Sequence, residues 1–159
     1  MAIDTSHSGA TTGVPEVAHA SASILHCVVV TPEATVFEHP AQFIVLPLYD
    51  GELGVAPGHT PLIGRLGFGE LRLTEAGRTT RLYIDGGFAQ VADNVVSVLT
   101  QRAIPAEKLD PAVIEEQLQA ARQRPAHSPE TIELRKKAMD RARAQLRVAR
   151  RAKGVSAAH

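Results

Sequence analysis

Two periodicities divide this chain. Up to about Arg102, apolar residues come in short runs or strict alternation. Ile24 to Val30 is a Val-dense run that Thr31-Pro32 ends, and Ala34 to Phe37 is a second extended piece. Gln42 to Leu48 follows, broken at Pro47. In Phe68 to Thr74, Leu71 and Leu73 alternate with Glu70 and Arg72. In Thr79 to Ile84, Leu82 and Ile84 lie opposite Arg81 and Tyr83. Phe88 to Ala92 and Val95 to Thr100 pair around Asp93-Asn94. Glu75-Ala76-Gly77 and Asp85-Gly86-Gly87 read as turns. Period-two runs between turn signals predict about eight to ten short antiparallel strands, as a sandwich or a barrel.

The period then changes to that of a helix. Asp110 before Pro111 is an N-cap with Pro at the first helical position. Ile114, Leu118 and Ala121 recur at helical spacing until Pro125 stops them. Ser128-Pro129 repeats the start signal, with Glu130 near the positive end of the dipole. Ile132, Met139 and Leu146 recur every seven residues, with Ala142 and Ala149 between them, and Gly154 supplies a stop. Two helices of about 13 and 24 residues, the second roughly 36 Å long, form an antiparallel hairpin. The second helix has a thin, Ala-rich stripe. At about 25 cal/mol per Å² of buried apolar surface, such a stripe predicts weak docking.

Between strands lies the densest turn chemistry, Gly51 to Leu62. Three glycines and two prolines fall within twelve residues, with Leu53, Val55 and Leu62 as apolar contacts. This predicts a tightly shaped surface loop, either a structural corner or a contact element.

Composition narrows the function classes. The 159 residues are 44% hydrophobic but only 4% aromatic, so aliphatic side chains must fill the core. The single cysteine, Cys27, excludes an internal disulfide and reads as a buried thiol. The seven histidines are scattered without the close pairing of a zinc site. His59 has no Ser, Cys or carboxylate beside it to mark a triad, and reads as a loop-shaping or partner residue. Gly64, Gly67 and Gly69 do not make a phosphate fingerprint, because no helix follows. Residues 1–23 show neither period and read as a mobile extension, without the basic start and apolar run of a signal peptide.

The net charge of zero conceals a split. Residues 129–153 hold nine of the 17 basic residues and three of the 17 acidic ones, for +6, which leaves −6 on the rest. A solvated face, a nucleic-acid contact and an acidic protein partner all fit this basic helix, although few aromatics are available to stack on bases.

Together, the Gly51 to Leu62 loop, Gly86-Gly87-Phe88 after a strand, the Val95 to Leu99 strand and the ending Ala144-Gln145-Leu146-Arg147-Val148-Ala149 resemble the epsilon subunit of the F-type ATP synthase. The most specific piece is Gly54-Val55-Ala56-Pro57-Gly58-His59 with Pro61-Leu62, and the match runs from about Ile24 to Arg151. The resemblance implies a β-sandwich over residues 24–102, a helical hairpin over 103–153, and a flexible tail over 154–159. It implies a non-catalytic rotor subunit of the central stalk that couples proton translocation to ATP synthesis. Its partners would be the gamma subunit, the c-ring, and the catalytic alpha and beta subunits through extended helices. Nucleic acid is not expected, and the place would be the cytoplasmic face of the bacterial inner membrane. The loop residues Glu52, Leu53, Gly54, Pro57, Gly58 and His59 would form a partner interface, with Glu52 and Leu53 toward the c-ring. Arg135, Arg141, Arg143 and Arg147 would form the regulatory basic face that restrains ATP hydrolysis.

Some members of that family bind ATP on the folded hairpin. Here Leu109-Asp110 matches the opening of their motif and Arg141 resembles one basic contact. Val113-Ile114 replaces an Arg-Ala pair, and Gln145 stands where a second Arg is expected. Without those charge-assisted bonds, ATP binding is expected to be weak or absent, and no cofactor or metal is expected.

Overall fold

The computed structural model describes the backbone of residues 24–157 and the side chains of residues 24–154. The extension at residues 1–23 and the last two residues of the expected tail lie outside the described residues. Among the described residues there are eight strands: β1 (Leu25–Val30), β2 (Thr35–Ala41), β3 (Phe43–Leu48), β4 (Gly51–Val55), β5 (Leu62–Glu75), β6 (Arg78–Ala92), β7 (Val95–Leu99) and β8 (Ala103–Pro105). Their order is β2-β1-β7-β6-β5-β3-β4, with β8 also on β6. β2, at one end of that order, packs against β5, so the sheet folds over on itself. The enclosed core holds Leu25, Cys27, Val29, Ile44, Leu46, Leu71, Ile84, Val91, Val96 and Val98.

Two features depart from the sequence reading. The sheet is antiparallel except where β1 runs parallel to β7. Asp85-Gly86-Gly87 does not reverse the chain but lies within the 15-residue strand β6. Gly86 and Gly87 have φ of 70° and 106°. Two successive left-handed glycines bend a strand without ending it. At that bend β6 changes partner, from β8 along Leu82 to Ile84 to β7 along Phe88 to Ala92. A Cβ on Gly87 would overlap the Leu99 carbonyl. The true reversals are Ala76-Gly77 and Asp93-Asn94, each with two positive φ values, as two-residue hairpins require.

The expected loop also resolves into two parts. Gly51 to Val55 is strand β4, paired in register with β3, and only residues 56–61 are irregular. The alternation at Leu53 and Val55 was already a strand signal.

Both helices start where their caps predict. Helix α1 (Pro111–Gln123) is capped by Asp110, whose carboxylate accepts the Ala112 N–H at 3.0 Å. Helix α2 (Pro129–Ala157) starts after Ser128, whose Oγ accepts the Thr131 N–H. It passes through Gly154 rather than ending there. Glycine inside a helix costs only about 1 kcal/mol relative to Ala, too little to end the helix by itself.

The hairpin lies on the β-domain. Ile114 and Leu118 of α1, Ala142, Ala144, Leu146, Val148 and Ala149 of α2, Tyr83 of β6, Ala106 and Leu109 share a second core. The expected heptad stripe holds from Met139 onward. Met139 packs against this core and Ala142, Leu146 and Ala149 are buried in it, but Ile132 is 46% exposed. The seat is wider than a stripe from residue 142 to 149, where Ala144, Gln145 and Val148 are buried as well, because α2 touches both α1 and the strands β5 and β6.

Candidate functional site

The loop at residues 56–61 is held by two short bonds. The Gly58 N–H donates to Asn94 Oδ1 at 2.7 Å, tying it to the β6–β7 turn. His59 bonds through Nδ1 to the Thr60 carbonyl at 2.8 Å, which makes it a loop-shaping residue. Pro57 and His59 are half-buried, and Gly58 is exposed. Glu52, Leu53 and Gly54 stand apart from this loop, on β4. Leu53 packs against the first core. The Phe43 ring covers Gly54, where a Cβ would come within 2.7 Å of it.

Glu52 is not a free acidic contact. Its two oxygens accept from Arg72 at 3.1 and 3.0 Å. The hydrogen bond from Arg72 holds its carboxyl below the usual range. Arg151 of α2 lies 3.9 Å from the same carboxylate. The motif thus splits into a loop beside the β6–β7 turn and an acidic strand end beside α2.

Sequence reasoning missed an apolar outer face next to that loop. Ile63, Phe88 and Leu99 are 76%, 57% and 52% exposed. Phe88 pairs with both Arg65 and Leu99 across β5, β6 and β7, so the three side chains share a face. Arg65 stacks on Tyr49, with 4.5 Å from Cζ to the ring centroid. The signal was present, since Ile63 and Leu99 fall out of phase with the buried set.

The other concentration of chemistry lies under α2. Asp85, at the bend of β6, is 6% exposed, and its Oδ1 accepts from Arg141 Nε at 2.9 Å. Tyr83 OH donates to the same oxygen at 3.2 Å. The Asp85 N–H is taken by Thr100 Oγ1 and the Arg102 carbonyl. Arg141 also lies over the Phe68 ring. Burial, and then the neighbouring Asp85 charge, push the Tyr83 phenol well above its ordinary value. Gln145 is buried beside it. Further along, Glu70 of β5 is 3% exposed and accepts from Arg81 at 2.7 Å and Arg72 at 3.2 Å.

The alternation had placed Glu70 and Tyr83 on the solvent side. The hairpin covers that side, so β5 and β6 are buried on both faces here.

Of the expected basic face, Arg141 is occupied by Asp85, and Arg143 faces Asp140 at 3.7 Å. Arg135 donates to the Arg124 carbonyl at 3.4 Å, across the hairpin turn. Arg143 and Arg147 line a groove of about 710 Å³ between α2 and the β-domain, together with Arg65, Lys136 and Lys137. Asp110 and Arg141, the two resemblances to an ATP motif, serve as a helix cap and as an ion-pair partner. Among the described residues no group of His, Cys, Asp or Glu could hold a metal, and no helix is long and apolar enough to cross a membrane.

Comparison with known proteins agrees with this architecture. Residues 24–106 match the family described as ATP synthase, Delta/Epsilon chain, beta-sandwich domain. The match ends just past β8, a few residues beyond the expected boundary at Arg102. An ATP synthase epsilon chain of Rhodopirellula baltica is 49% identical over 126 residues, covering 79% of this chain and 98% of that one. One from Nitratidesulfovibrio vulgaris is 35% identical over 126 residues, covering 78% and 94%. A chain in the cryo-EM structure of the Euglena gracilis mitochondrial ATP synthase, OSCP/F1/c-ring in rotational state 1, superposes with a TM-score of 0.69 at 26% identity. It covers 77% of this chain and 79% of that chain. A chain of the Tetrahymena thermophila central stalk/c-ring structure shares the fold alone, with a TM-score of 0.61 at 12% identity. With a β-sandwich matched by the family, a packed helix pair and a near-full-length relative at 49% identity, the chain belongs to the ATP synthase epsilon chain family, as a non-catalytic subunit of that enzyme.

Proposed function

We propose that this chain is a rotor subunit of the central stalk, that it couples proton translocation to ATP synthesis, and that its hairpin restrains ATP hydrolysis. The apolar face of Ile63, Phe88 and Leu99 is the seat for the gamma subunit, because large exposed apolar groups grouped on one sheet face suit a lasting partner. The loop at Pro57, Gly58 and His59 borders it, and the Glu52 to Gly54 strand faces the c-ring side. The subunit works at the cytoplasmic face of a bacterial inner membrane and does not bind nucleic acid.

The observation that carries the restraint is the makeup of the hairpin's seat. It joins small apolar side chains to an ion pair between Asp85 and Arg141. Charged groups lose little on returning to water, so such a seat can be left and regained. Once α2 leaves, Arg135, Arg141, Arg143 and Arg147 are free to meet acidic surface on the catalytic alpha and beta subunits.

The test is ATP hydrolysis by an epsilon-depleted complex given back either the full chain or a version ending at Lys108, which keeps β8. Both should bind, and only the full chain should slow hydrolysis. Equal activities would remove the restraint, and failure of both to bind would remove the rotor placement. With Gln145 against Tyr83 and Arg141 on Asp85, ATP is expected to bind the isolated chain weakly or not at all. Micromolar affinity in a titration would overturn that expectation.

A further inference from the structure

Among the described residues the buried polar side chains are grouped. Asp85 and Thr100 belong to one network under α2, with Gln145 buried beside Tyr83 and Glu70 close by on the same covered face. A buried charge is a poor source of stability and a good means of fixing one arrangement. The two carboxylates differ in one respect. Asp85 is matched by Arg141 at 2.9 Å. Glu70 is only half matched, since its Oε1 takes Arg81 and Arg72 while Oε2 is buried with no hydrogen-bond partner among the described residues. A cavity of about 170 Å³ adjoins it, lined by Glu52, Glu70, Ala144, Arg147, Val148 and Arg151, among others. Arg151 is 54% exposed and reaches only to 4.0 Å from Glu70 and 3.9 Å from Glu52.

We infer that a two-point ionic latch holds α2 on the β-domain: Asp85 holds Arg141 closed, while Glu70, assisted by Glu52, offers a second socket that Arg151 enters and leaves. The latch gives the restraint proposed above its control points and rests on that reading. Ten residues of helix, about 15 Å, separate the two arginines. They therefore act on different turns of α2. The pairs also differ in their response to salt. The screening length falls from about 10 Å at 0.1 M to about 3 Å at 1 M, so added salt reaches the exposed Arg151 contacts at 3.9 and 4.0 Å, while it screens a buried pair much less. The helix consequently undocks from its C-terminal end, and Asp85 to Arg141 is the last contact to open. Positioning of the hairpin thus falls to Asp85 and Glu70, neither of which belongs to the basic face itself.

Amide hydrogen exchange on the full chain tests this. Raising KCl from about 50 to about 500 mM should speed exchange at residues 148–153 and leave 141–146 unchanged. Arg151→Gln, at an exposed position that does not threaten folding, should give the same pattern without salt. Asp85→Asn should speed exchange across 141–152 by about tenfold or more, as expected for loss of a hydrogen bond between charged groups. Arg141→Gln should match it, and the double variant should add nothing further. Single effects that simply add, or a uniform response of α2 to salt, would overturn the latch. The same variants in the assembled complex separate it from the underlying reading. Faster exchange with unchanged ATP hydrolysis would leave the latch standing and end the restraint. Unchanged exchange in Asp85→Asn and Arg151→Gln would end the latch alone.

Discussion

Single positions in this chain answer to steric and solvation limits that allow few substitutes. Gly87 is the clearest case. Its φ of 106° suits glycine, and an added Cβ would meet the Leu99 carbonyl. Gly87→Ala should cost about 3 kcal/mol or more, lowering Tm by roughly 6–12 °C in thermal unfolding. Cys27 shows the solvation limit. It is fully buried, and burial pushes its thiol from 9.0 up to about 12. It should resist alkylation by iodoacetamide at pH 8.5 in the native chain and react on unfolding. The sign for stability follows. The unfolded thiol ionises near 9.0 and the folded one does not, so stability is complete below that pH and declines as pH rises toward about 12. A urea melt across that range would show the decline. The pattern of runs and alternation placed Cys27 in the core. The bend at Gly87 was misread as a reversal, because a Gly pair signals positive φ but not whether a strand continues beyond it.

At the scale of elements, local chemistry was legible and packing was not. Both helix starts follow from Asp110-Pro111 and Ser128-Pro129, since capping satisfies backbone donors within one turn. The buried face of α1 matches its spacing at Ile114, Leu118 and Ala121. The face of α2 matches its spacing from Met139 to Ala149, but contact with α1 and with the sheet also buries Ala144, Gln145 and Val148, which lie off the stripe. Leu146 is the one large aliphatic residue that belongs both to the expected stripe and to the seat. Leu146→Ala should cost about 2–5 kcal/mol, within the range for buried Leu. Exchange at α2 should rise steeply while β1, β6 and β7 stay protected. Equal loss of protection in the strands would mean that the hairpin and the sheet fold as one unit.

At the scale of the whole molecule, the described residues form two cores, one inside the folded sheet and one beneath the hairpin. Leu71, Ile84 and Val98 fill the first without help from either helix. A chain ending at Lys108 should therefore keep a cooperative melt and the strand content of the full chain, as circular dichroism would show. A broad, non-cooperative transition would mean that the hairpin is needed to hold the sheet. The charge split noted in the sequence finds its physical sense at this scale. The basic helix lies against Asp85, Glu70 and Glu52, so part of the −6 faces part of the +6.

What the sequence by itself determined is local. Alternation, turn residues and caps identified the strand-rich part, the hairpin and the glycine-rich motif, because those signals act between residues only a few positions apart. The same short motifs carried the family resemblance. Only the tertiary structure decided which charges are paired. Arg141 meets Asp85 across 56 positions, and Glu52 meets Arg72 across 20. It likewise decided that Glu70 and Tyr83 are buried, since α2 covers the face that alternation had assigned to water. Pairing and burial at such distances depend on how elements pack, and no period in the sequence encodes that.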